Sequence, residues 1–122
     1  MGFRFRDWQV YKDARNFRQE LNEVLKTFPK IETYVLVDQT KRAMLSVILQ
    51  IAEGSNRKTE KDKNLFINRA LTSLDEVVAC LDSALDDDYI TNSQHTALLS
   101  KLENLAKQLR GFGKYISRSY EL

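Results

Sequence analysis

Apolar residues three and four positions apart recur through almost the whole chain. This constrains the fold more than any other feature, because it is the period of a helix face and not of a strand. Val10, Ala14, Phe17, Leu21, Val24 and Phe28 form the first stripe, with polar residues such as Lys12, Arg15, Arg18 and Glu23 between them. The stripe predicts a helix from about Trp8 to Phe28, capped by the Asp7 carboxylate and stopped by Pro29. A second pattern begins near Leu36 to Asp38 and ends at Gly54, which is read as its left-handed closing residue. From Ala43 to Ala52 its apolar residues go all the way round, broken only by Ser46 and Gln50. A helix apolar on every side is buried on every side. Four helices of this size do not easily surround one of their own number, so the excess face implies contact with another chain. Met44, Ile48 and Leu49 are the candidates for that interface.

Thr59-Glu60-Lys61-Asp62 has the spacing of a helix N-cap with acidic residues in its first turn. The third helix then carries Phe66, Ala70, Leu74, Val77, Leu81 and Ala84, with Ile67, Leu71, Val78 and Leu85 beside them. It is expected to end at Asp86-Asp87-Asp88, because the negative end of a helix dipole repels carboxylates. Thr91-Asn92-Ser93-Gln94 is a capping box that opens a fourth helix, whose seam is Leu98, Leu102, Leu105, Leu109, Phe112 and Ile116. Ala106 and Gly113 lie beside that seam, and Gly111 and Gly113 weaken its last turns. Four glycines and one proline leave too few turn residues for an all-β sandwich or barrel. These patterns predict one all-α domain over residues 1–122, an antiparallel up-down four-helix bundle. The longest connection, from Pro29 to Val35, contains Tyr34 and is expected to be packed.

No apolar run approaches the ~20 residues of a membrane-spanning helix, so no membrane role is expected. The first residues lack the apolar core of a secretory signal. A single cysteine cannot form an internal disulfide, which fits a reducing cytoplasm. Residues 1–63 carry 13 Lys+Arg against 9 Asp+Glu, and residues 64–122 carry 6 against 8, so the overall +2 is unevenly placed.

Catalysis finds little support. His95, the one histidine, lies among Ser93, Gln94 and Thr96 and reads as a surface residue. Cys80 lies among Val77, Val78 and Leu81 and reads as a small core residue. There is no zinc-ligand spacing, calcium loop or Gly-rich phosphate loop, so no metal, cofactor or enzymatic role is expected. Arg42, Ser46 and Glu53 share one side of the second helix. Glu53 near the helix C-terminus calls for a cationic partner, Arg57 or Arg42. These four residues are either a polar network that fixes packing or subunit register, or a ligand or partner site.

Two basic features stand out. Arg57, Lys58, Lys61 and Lys63 cluster around the second connection, and Lys107, Arg110, Lys114 and Arg118 form a stripe along the fourth helix. Each is either a solvated helix face or a phosphate-binding surface that a symmetric oligomer would repeat, with Tyr115 and Tyr120 near enough to stack a base.

Phe5-Arg6-Asp7-Trp8-Gln9-Val10-Tyr11-Lys12-Asp13-Ala14 resembles the opening of the four-helix-bundle proteins encoded in 23S ribosomal RNA intervening sequences. Gln39-Thr40-Lys41-Arg42-Ala43, Ser46-Val47 and Ile51-Ala52-Glu53-Gly54-Ser55-Asn56-Arg57 are similar to that family's Arg-Ala, Ser-Ile and Ile-Ala-Glu-Gly blocks. Phe66 to Glu76 and Tyr89-Ile90 are similar to its third-helix block and the Tyr-Ile after it. Ile48 stands where the family often has Pro, Gln50 where it often has Asn, and Asp88 where it has Gly. The resemblance implies a homopentamer of bundles, and its relatives include nucleic-acid-binding accessory proteins of diversity-generating retroelements. Residues and resemblance together point to a non-enzymatic homo-oligomeric bundle that binds RNA or DNA through repeated basic patches. The alternative is an oligomeric scaffold for a protein partner.

Overall fold

The structure, a computed structural model, describes residues 2–121, with side chains described as far as Phe112. Four helices carry the fold: α1 (Gln9–Leu25), α2 (Asp38–Ser55), α3 (Glu60–Asp86) and α4 (Asn92–Glu121). No strand occurs among the described residues, and no helix among them is long and apolar enough to cross a membrane.

Cross-helix bonds give the directions. Between α2 and α3, Gln39 Nε2 donates to Glu76 Oε2 at 3.2 Å and the Ser73 hydroxyl bonds that of Ser46 at 2.9 Å. The chain numbers rise along one helix and fall along the other. Between α1 and α4, Gln108 Nε2 donates to Asp13 Oδ2 at 2.9 Å while Lys101 pairs with Glu20, again in opposite senses. The core is continuous. Phe17 and Leu21 from α1, Met44 and Val47 from α2, Val77 and Leu81 from α3, and Leu102 and Leu109 from α4 are all buried in it. Each is drawn from one helix face, and burial of such a side chain stabilises the fold by roughly 1.5–3 kcal/mol.

The helix ends follow local chemistry. The Thr59 hydroxyl accepts from the Asp62 backbone N–H at 3.1 Å and starts α3. Thr91 and Gln94 form the reciprocal capping box of α4, at 3.1 and 2.8 Å. After α3, Asp88 adopts a left-handed φ of 60°. The backbone N–H of Tyr89 then reaches back to Ala84 O at 2.9 Å, and that of Asp88 to Leu85 O at 3.1 Å. This is the Schellman closure usually given to glycine, here built on an aspartate.

Several expectations are corrected. Asp7 does not cap α1: it ends a 3-10 turn over Arg4–Asp7, and Trp8 occupies the cap position without a side-chain bond. The helix stops at Leu25, three residues before Phe28. Gly54 is not a left-handed terminator, since Gly2 is the one glycine with positive φ among the described residues. Gly54 instead lies inside α2 where α3 comes close, and a Cβ there would sit 2.9 Å from Phe66 Cβ. The connection after α1 is ordered as a 3-10 turn and a π-helical turn, yet it is not packed. Ile31, Tyr34 and Val35 are 82%, 90% and 64% exposed. Met44 and Ile48 belong to the chain's own core, in one buried cluster with residues of α1, α3 and α4. Of the three interface candidates only Leu49 is presented, with Leu45 one turn earlier. Gly113, Lys114, Tyr115, Ile116, Arg118 and Tyr120 lie outside the residues whose side chains are described.

Candidate nucleic-acid interface

One end of the bundle gathers the basic residues. The α2–α3 turn puts Arg57, Lys58 and Lys61 on the surface, while Lys63 is half-buried. Lys63 lines a small apolar cavity together with Trp8, Gly54, Ile67, Leu109 and Phe112, so this turn sits beside the start of α1 and the Leu109–Phe112 turn of α4. Gln50 Oε1 is buried near the same place without a hydrogen-bond partner among the described residues. Arg4 and Arg6, exposed on the 3-10 turn that leads into Trp8, add two charges to this end, and Lys107 and Arg110 are exposed on α4. Arg110 also lines a groove between α3 and α4, together with Asp75 of α3 and Glu103 of α4. Lys107 and Arg110 thus lie on the stretch of α4 that leads to this end. Glu53, Glu60 and Asp62 moderate the positive charge there.

The geometry of the turn is set by Phe66. Gly54 lets the Phe66 Cβ approach the α2 backbone, and two guanidiniums lie over the ring. Arg57 Cζ lies 4.4 Å from its centroid and Arg69 Cζ 5.1 Å. Phe66 is only 7% exposed although it is in the second turn of α3. Arg69 escaped the sequence reading. Its spacing of three from Phe66 was the available signal, since residues so spaced are neighbours on a helix.

The four-residue polar network does not form within the chain. Arg42 Nε donates to Asp38 Oδ2 at 2.9 Å, one helical turn back. Glu53 lies eleven residues beyond Arg42, roughly 16 Å along the axis, out of reach of its guanidinium. Arg57 is engaged by the Phe66 ring, and Glu53 makes no ion pair among the described residues. Ser46 alone has the anticipated structural part, through Ser73, which is buried.

Away from this end, His95 is not a free surface residue. Its side chain is 16% exposed and its Nε2 lies 2.7 Å from Asp82 Oδ1, which ties the first turn of α4 to α3. Cys80 is free and half-buried, not fully in the core. No group of three or more metal-ligating side chains is found among the described residues.

An all-α bundle with a basic end built around an α2–α3 turn is the class of protein that fold and surface define. The model of the 23S rRNA-intervening sequence protein family matches residues 6–111, and the chain belongs to that family. Among solved structures, it is similar to a protein with unknown function from the S23 ribosomal protein family of Bacteroides thetaiotaomicron. The TM-score is 0.78 at 21% identity, over 86% of this chain and 95% of that one. No curated protein matches the chain.

Proposed function

We propose that the chain is a non-enzymatic, cytoplasmic homo-oligomer that binds structured RNA through the basic end of each bundle. The observation that carries this reading is the concentration of exposed Arg4, Arg6, Arg57, Lys58 and Lys61 at one end, with Lys107 and Arg110 continuing it along α4. The family is named for the intervening sequences of 23S rRNA, and a structured RNA is therefore the first nucleic acid to test. Self-association is supported by the exposed apolar side chains of α2, Leu45 and Leu49, and of the connection before it, Ile31, Tyr34 and Val35. Large apolar side chains left exposed in groups are a mark of a protein contact. Five subunits is the number the family resemblance implies.

Lysines and arginines read phosphate charge and not base edges, so binding is expected to be largely independent of sequence and to weaken steeply with salt. A gel-shift titration of a structured RNA over increasing salt tests it. Charge reversal of Arg57, Lys58 and Lys61 together should weaken binding and flatten the salt dependence, and reversal of Lys107 and Arg110 tests the second cluster. Absence of any shift at low salt and micromolar protein would sink the RNA reading, leaving the scaffold for a protein partner. Light scattering that reports a 14.2 kDa particle would remove the oligomer.

A further inference from the structure

We propose that Arg57 and Arg69, seated together on the Phe66 ring, are a paired contact for the phosphodiester backbone of the bound RNA. The proposal rests on the RNA reading above and names the side chains that hold the strand at that end.

The argument starts from how each guanidinium is held. A guanidinium is planar, and its N–H donors point outward in its plane. An aromatic ring engages its face and leaves that edge free. Arg57 and Arg69 both lie over the Phe66 ring, with Cζ 4.4 and 5.1 Å from its centroid. Neither forms an ion pair with a carboxylate among the described residues, in contrast to Arg42, which pairs with Asp38. Both side chains are exposed while the ring between them is buried. One ring thus fixes two cations that have no carboxylate partner among the described residues. The two Cζ atoms can be separated by no more than the sum of those distances, about 9.5 Å.

Fixing the cations matters because long side chains lose rotamer freedom on binding, and a stacked guanidinium has lost much of it already. The fork of N–H donors matches phosphate oxygens in a bidentate way that a lysine cannot. Around the pair, Lys58 and Lys61 supply less directional charge, and Glu53, Glu60 and Asp62 bound the site on its acidic side. Gly54 belongs to the device indirectly, as the residue that lets Phe66 take its seat.

The test measures binding of a short fluorescein-labelled RNA duplex by anisotropy across a salt series, for wild type, Arg57→Gln, Arg69→Gln and the double variant. For each subunit that engages the duplex, a glutamine should flatten the slope of log K against log salt by about 0.9 and weaken binding about eightfold near 0.1 M salt, the effect of one lost phosphate contact. Arg69→Lys should keep the slope and still bind less tightly, which loss of packing alone would not produce. Lys30→Gln, a change of charge on the α1–α2 connection, should leave the slope unaltered. Thermal melts followed by circular dichroism establish that each variant is folded. If wild type does not bind the duplex, the RNA reading itself fails. If wild type binds and folded Arg57→Gln and Arg69→Gln keep its slope, the RNA reading stands and the paired contact is overturned. A changed particle mass with an unaltered slope overturns it as well, since the pair would then serve subunit contact.

Discussion

Asp88 shows what a single backbone position demands. A left-handed residue with a side chain is strained by roughly 1–2 kcal/mol, and the aspartate also places negative charge at the negative end of α3. Asp88→Gly should relieve both and raise stability by about 1 kcal/mol, less the added freedom of glycine in the unfolded chain. A chemical-denaturation curve with a higher midpoint and the same m-value would be the expected outcome. Two glycines in helices should respond in opposite ways. Gly111 is exposed with open space where a Cβ would go, so Gly111→Ala should stabilise by up to about 1 kcal/mol. Gly54→Ala would set a methyl 2.9 Å from Phe66 Cβ and should destabilise by about 1–3 kcal/mol. The same denaturation experiment on both variants checks the pair of signs. Tyr89 links the α3–α4 turn to the α1–α2 connection, its hydroxyl donating to Glu32 Oε2 at 2.7 Å. That bond, then burial, then the negative charges of Glu32 and Asp87, push the phenol up from 10.0 to about 12. Because the folded value lies above the unfolded one, the contribution is whole below pH 10 and is lost as pH rises through about 12. The melting temperature should fall over that window in wild type and lose this component in Tyr89→Phe, and one tyrosine should ionise late in an absorbance titration.

The helices differ in how far their sequences declare them. α4 opens where the Thr91–Gln94 box says it should, because a capping box is a local hydrogen-bond pattern that needs no tertiary context. α3 ends at its aspartates for an equally local reason. α2 is the opposite case. With apolar residues on every side, its periodicity cannot say which of them the other helices will claim, and Met44 and Ile48 fell inside while Leu45 and Leu49 stayed outside. Arg57 was visible as one charge among several, but its place over Phe66 depends on the close passage of α2 and α3, which two separate stripes do not specify. The partner expected for Glu53 is a different case, since eleven residues of helix already put Arg42 roughly 16 Å away, while Arg57 is turned to Phe66. Placing an aspartate at 48 or at 49 separates these environments. Ile48→Asp should bury an unpaired charge in the core and unfold the chain, with losses of at least about 3 kcal/mol. Leu49→Asp should retain helical circular dichroism and act on assembly alone, as read by sedimentation.

Across the whole molecule, charge follows the long axis. The basic turn between α2 and α3 lies at one end, while Asp86, Asp87, Asp88 and Glu32 cluster at the other, where the α3–α4 turn meets the α1–α2 connection. A nucleic acid approaching from solution would thus be drawn to one end and turned from the other before any contact forms. The packing is as uneven as the charge. α2 and α3 share by far the largest contact in the bundle, brought together at Gly54, whereas α1 touches α2 and α4 more sparingly. Openings of a native protein begin where the fewest apolar contacts are broken, so α1 and the α2–α3 hairpin should be separate cooperative units. In hydrogen–deuterium exchange, the amides of α1 should take up deuterium first, and those in the middle of α2 and α3 only when the entire chain opens. The hairpin would then keep the arginine-covered end assembled through excursions that release the first helix.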